Sequence, residues 1–140
     1  MPLVPDRIDA VTLAVADFRR AVDFYADVFG FEKVSESDIV ARFRLRNIFL
    51  DVIKADVLLE ETHLGRFGDL PGPVTLAITV REPADVDAFM RRMQDAGVRV
   101  VAPAEDKPSG PRILYAADPE GHVWEIGWFP APSSDAETGQ

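Results

Sequence analysis

A pattern of strand, helix and three further strands occurs twice along this chain, and that duplication constrains the fold more than any other feature. Ile8–Val15 alternates in size, with Val11, Leu13 and Val15 on one face and Ala10, Thr12 and Ala14 on the other, which is the period of a strand. Asp17 is a candidate N-cap. Phe18, Ala21, Val22, Tyr25, Val28 and Phe29 then recur at helical spacing until Gly30. Strands are predicted near Glu32–Glu36, Val40–Leu45 and Ile48–Ile53, with Asn47 in the last turn. Ala55–Leu64 is a short helical segment, and Gly65–Pro73 reads as a linker. The second round begins with a strand at Val74–Val80. Pro83 suits the first turn of a helix whose apolar stripe is Val86, Phe89, Met90 and Met93 and whose end is Gly97. Val98–Val101, Ile113–Ala117 and His122–Trp128 follow as strands, and Pro103–Pro111 reads as a long loop expected to move on ligand binding. Val15 and Val80, Phe24 and Phe89, and Val28 and Met93 each lie 65 residues apart. In the final strands the match pairs Leu50 with Glu125, 75 residues apart.

The expected fold is α+β: two tandem βαβββ modules forming a curved mixed sheet around a pocket. A single domain of 140 residues then divides into module one at about 7–64, a linker at 65–73, module two at 74–130 and a disordered tail at 131–140. One helix covers one face of each sheet, and the other faces are left to line a pocket.

Charge and cysteine content narrow the function. The chain carries a net charge of −9, which argues against nucleic acid because phosphate binding needs a basic face. It has no cysteine, hence no disulfide and no thiolate nucleophile or ligand. No long apolar run marks a signal peptide or a membrane span, so the expected location is the cytoplasm, without membrane contact.

The sharpest local signal is Asp118-Pro119-Glu120-Gly121, a tight-turn composition, followed by the strand His122–Trp128. Alternation puts Val123, Glu125 and Gly127 on one face and Trp124, Ile126 and Trp128 on the other. A carboxylate amid these apolar residues either faces water on an edge strand or points into a cavity towards a ligand. Parity assigns Ala10, Thr12, Ala14, Ile48, Leu50, Val52, Thr75, Ala77, Thr79, Val123 and Glu125 to the pocket side. These are apolar walls with a few polar groups. Arg42 and Arg44 share a face and are either solvated or available to an anionic group.

The segments Val11–Asp17, Phe24-Tyr25, Val86-Asp87, Ala96-Gly97 and Asp118–His122 with Trp124-Glu125 resemble the vicinal oxygen chelate superfamily, the glyoxalase / bleomycin-resistance / extradiol dioxygenase group. The resemblance covers about residues 7–130. It implies paired βαβββ modules, often in a homodimer, and a divalent metal held from the first and last strands of the modules. The matching positions here are Ala10, Leu50, Thr75 and Glu125, of which only Glu125 is an ordinary ligand. His122 is expected on the opposite face of its strand, and His63 in the inter-module segment. The expectation is a metal-independent small-molecule-binding protein similar to drug-sequestering resistance proteins, with no cofactor. Its binding residues would be Thr12, Leu50, Thr75, Thr79, Glu125, Arg42 and Arg44. The alternative is a metal-free lyase or isomerase with Glu125 as general base.

Overall fold

The computed structural model describes residues 7–62 and 75–130. The chain forms two compact units, Met1–Asp69 and Leu70–Gln140. The expected linker, the tail and His63 lie outside the described residues. No helix among those residues is long and apolar enough to cross a membrane.

The first unit runs β1 (Ala10–Val15), α1 (Phe18–Asp23) continuing into one π-helical turn (Phe24–Val28), β2 (Glu32–Glu36), β3 (Val40–Arg44), β4 (Phe49–Lys54) and α2 (Ala55–Thr62). Its four strands pair in the order β1-β4-β3-β2. β1 and β4 are parallel, and the other neighbours are antiparallel. The Asp17 side chain accepts the backbone N–H of Arg20 at 3.2 Å and caps α1. Register and burial separate the two faces of the sheet. Phe43 is opposite Leu50, and Ala41 is opposite Val52. All four are buried, and the Phe43 ring lies 6.1 Å from that of Tyr25 in the π-helical turn. This is the helix-covered face, closed by edge-to-face contacts of Tyr25 with Phe24 and Phe29. The open face carries Ala10, Thr12 and Ala14 of β1, Phe49, Asp51 and Ile53 of β4, and Arg42 and Arg44 of β3.

The second unit repeats the plan with β5 (Thr75–Thr79), α3 (Pro83–Asp95), β6 (Val100–Asp106), β7 (Arg112–Ala117) and β8 (Val123–Trp128), in the order β5-β8-β7-β6. Pro83 opens α3, and the Asp85 carboxylate accepts the backbone N–H of Glu82 at 3.1 Å. α3 packs on β6, β7 and β8. Val86 and Met93 supply its buried stripe, and Leu114, Ala116, Trp124 and Ile126 the buried face of the sheet. Arg112 reaches over that face to grip both oxygens of Asp87 in α3, at 2.8 and 2.9 Å, and holds Asp106 of β6 at 3.0 Å. The open face carries Thr75, Ala77 and Thr79, then Val123, Glu125 and Gly127, then Ile113, Tyr115 and Ala117.

The architecture is therefore α+β with two similar modules, each a four-stranded mixed sheet. Two expectations need correction. The segment expected as a loop over Pro103–Pro111 is strand in its first part: β6 continues to Asp106, and the turn that remains before β7 is shorter than expected, closed by the Gly110 N–H on the Lys107 carbonyl. Pro103 is tolerated because β6 is an outer strand of its sheet and shifts register along β7 between Ala102 and Glu105. The pairing of Leu50 with Glu125 is one residue out. In the first sheet Thr12, Asp51 and Arg42 form one row, and in the second Ala77, Glu125 and Tyr115 form the corresponding row. Asp51 is thus the counterpart of Glu125.

Candidate functional site

A one-residue slip in a strand moves every side chain to the other face. Leu50, assigned from sequence to the ligand-facing set, is 1% exposed and sits beneath the helical layer with Phe43 and Val52. It takes no part in a site on the open face. Asp51 takes that place. The signal for it was present in the sequence: one carboxylate in the otherwise apolar run Ile48–Ile53, with Arg42 across the hairpin.

On the open face of the first sheet, Arg42 grips Asp51 with two parallel hydrogen bonds, Nε to Oδ1 at 2.8 Å and Nη2 to Oδ2 at 2.9 Å. The guanidinium lies 4.4 Å from the centre of the Phe49 ring. Arg44 lies 5.6 Å from the same ring and 3.6 Å from Glu32. The hydrogen bonds to Asp51 raise the Arg42 pKa further. Thr12, beside Asp51 in β1, is exposed.

On the open face of the second sheet, Glu125 is half-buried, and its Oε1 accepts the hydroxyl hydrogen of Tyr115 at 2.9 Å. That bond raises the pKa of the phenol, and burial and the carboxylate charge act in the same direction. No ion pair engages Glu125 among the described residues. Thr75, Ala77 and Thr79 of β5 are exposed beside it. Tyr115 carries no motif that singles it out in the sequence, although the alternation of β7 puts it on the face of Glu125.

The histidine of the Asp118–His122 segment serves the turn. Asp118 is buried, its Oδ1 accepts the backbone N–H groups of Glu120 and His122 at 2.9 and 2.8 Å, and its Oδ2 lies 2.7 Å from His122 Nδ1. Gly121, at φ 90°, closes the turn in a conformation that other L residues resist. This turn delivers β8, and with it Glu125, into register against β5 and β7.

The family model described as Glyoxalase/Bleomycin resistance protein/Dioxygenase superfamily matches residues 7–126. The chain belongs to this superfamily. It is 35% identical to an uncharacterized protein of Mycobacterium bovis, over 82% of this chain and 78% of the relative. It is 23% identical to the metallothiol transferase FosB of Staphylococcus saprophyticus, over 85% of this chain and 74% of that one. Its fold resembles the crystal structure of a glyoxalase-related enzyme from Fulvimarina pelagi, with TM-score 0.83 and 27% identity, over 92% of this chain and 94% of that one.

The residues present do not fit the divalent metal that superfamily members commonly hold. Ala10 has no donor, and the Thr75 hydroxyl is a neutral, weak one. With the register corrected, the β4 position carries Asp51, but Arg42 occupies both of its oxygens. Among the described residues, no group of three or more histidine, aspartate or glutamate side chains converges. In the two corresponding rows each carboxylate has its own protein partner, Arg42 for Asp51 and Tyr115 for Glu125.

Proposed function

We propose that this glyoxalase/bleomycin-resistance relative is a metal-independent small-molecule-binding protein and that Glu125 is its anchoring group. The observation that carries the reading is the difference between the two carboxylates. Asp51 meets a guanidinium that neutralises it, whereas Glu125 meets a neutral phenol. A half-buried carboxylate with no counter-charge among the described residues favours a ligand that donates hydrogen bonds or carries positive charge. Thr75 and Thr79, exposed beside it, are the other proposed contacts on this face, and Thr12, Arg42 and Arg44 are the proposed binding residues of the open face of the first sheet. Leu50 is withdrawn from that set. Sequestration of a drug-like molecule in the cytoplasm is the proposed role, and a homodimer the proposed assembly. Native mass spectrometry of the purified protein tests the reading. The expected spectrum has the mass of two chains and holds a small organic molecule, lost in Glu125→Gln, with no stoichiometric metal. A tightly held divalent ion that is lost in Glu125→Ala overturns it.

One observation favours a second reading, a metal-free lyase or isomerase. Tyr115 and Glu125, 2.9 Å apart, form an acid–base pair on an open face. Turnover of a captured ligand that collapses in Glu125→Gln while binding survives selects this reading.

A further inference from the structure

We propose that the open face of the second sheet binds an organic ammonium ion carrying a flat apolar group. Glu125 takes the charge, and Phe129, so far assigned no role, takes the flat group. The proposal rests on the binding role of Glu125 argued above and adds the class of ligand.

The geometry starts at Gly127, two residues from Glu125 on the same face of β8. A Cβ atom on Gly127 would stand 3.0 Å from Cε2 and 3.2 Å from Cζ of Phe129, and 3.4 Å from Cγ1 of Ile113. The Phe129 ring has folded back over the strand and fills the space a side chain at Gly127 would occupy. The next residue is held as well: a Cβ on Gly110, in the β6–β7 turn, would be 3.1 Å from Cγ of Pro130. Phe129 is thus seated against Gly127 and followed by a proline packed on Gly110, yet 43% of it is exposed. A ring that were only part of the core would be covered.

The chemistry follows from its neighbours. Two residues along a strand span about 7 Å, which is the distance along β8 between Glu125 and the Gly127 position that the Phe129 ring covers. An ammonium ion at Glu125 comes within reach of the negative face of the Phe129 ring, and a flat substituent can stack on that ring. The Tyr115 hydroxyl orients the carboxylate without neutralising it. The net charge of −9 favours the approach of a cation and opposes that of an anion.

Benzyltrimethylammonium, benzylammonium, benzyl alcohol and benzoate are suitable probes, titrated into 15N-labelled full-length protein and followed by amide shifts along β8. Both ammonium ions are expected to bind at least about tenfold more tightly than the alcohol or the carboxylate. Phe129→Ala and Phe129→Leu should each weaken ammonium binding by about tenfold, the leucine showing that the aromatic face matters rather than bulk. Gly127→Ala, which crowds the ring, should weaken it several-fold. Equal affinity for all four probes, no binding of either ammonium ion, or unchanged affinity in Phe129→Leu overturns the proposal. A co-purified ligand lost in Glu125→Gln but kept in Phe129→Ala would overturn the ligand class and leave the binding role of Glu125 standing. A metal held by Glu125 would remove that role itself.

Discussion

Asp51 and Glu125 hold the same register position in their two sheets and differ in what meets them. Arg42 closes on both oxygens of Asp51, and the Tyr115 hydroxyl reaches one oxygen of Glu125. The row that contains each carboxylate is otherwise small, with Thr12 in the first sheet and Ala77 in the second. The two faces thus share one design and differ in charge: Asp51 is paired with a guanidinium, and Glu125 has a neutral phenol as its hydrogen-bond partner.

Tyr115→Phe tests the partner of Glu125. Losing the hydrogen bond should cost about 1 kcal/mol, read as a lower urea midpoint at pH 7. The raised phenol pKa also has a sign. Its contribution is complete below about pH 10, the unfolded value for tyrosine, and is lost as pH rises through the higher folded value. Thermal midpoints measured from pH 8 to pH 11 should therefore fall more steeply for the wild type than for Tyr115→Phe. Parallel slopes would contradict this account.

Leu50→Ala separates packing from binding. Leu50 is sealed under the helical layer, so truncation should cost about 3 kcal/mol through lost burial and the cavity left behind. Ligand capture per folded molecule should be unchanged. A loss of capture without a loss of stability, read by native mass spectrometry beside a denaturant titration, would place Leu50 in the site after all.

Glu36 provides a second pH dependence, at the acid end. Arg19 holds its carboxylate at 2.6 Å, Lys33 joins it, and the hydrogen bonds to Arg19 and then Lys33 lower its pKa to about 2. Its contribution is present above the unfolded glutamate value and is lost as pH falls through about 2. Acid unfolding followed by circular dichroism should be shallower between pH 4.5 and pH 2 in Glu36→Gln. The effect should be small, and weaker at high salt, because the group is on the surface.

Asp118→Ala should destabilise the protein by about 2–3 kcal/mol. It leaves the N–H groups of Glu120 and His122 and the His122 ring nitrogen without their shared acceptor. Divalent metal added to the wild type should leave its melting temperature unchanged, since this aspartate–histidine pair serves the turn. A metal-dependent rise in the wild type that is absent in Asp118→Ala would show that the pair binds metal.

The sequence by itself determined the duplication and most of the elements. Strand alternation, helical spacing and turn residues are local patterns, so β2 begins and ends where the alternation puts it, and Pro83 and Gly97 bracket α3. The same local logic put Glu125, Val123 and Gly127 on one face and Trp124 under the helix. Register between distant strands was decided only by tertiary structure. Ile48–Ile53 has large apolar residues on both faces, and Asp51 is its one polar signal; the packing of Phe43 against Tyr25 decided which face the helix covers, with Leu50 on that face and Asp51 on the open one. Strand pairing likewise supplied the partners. Arg42 and Asp51 are nine residues apart, Tyr115 and Glu125 ten, and each pair meets because a hairpin folds one strand beside the next. β6 extends through Pro103 because an outer strand needs no hydrogen bond from every residue. The fold of Phe129 over Gly127 needed the packed structure as well: a glycine records that space is required, and only the folded chain shows which side chain fills it.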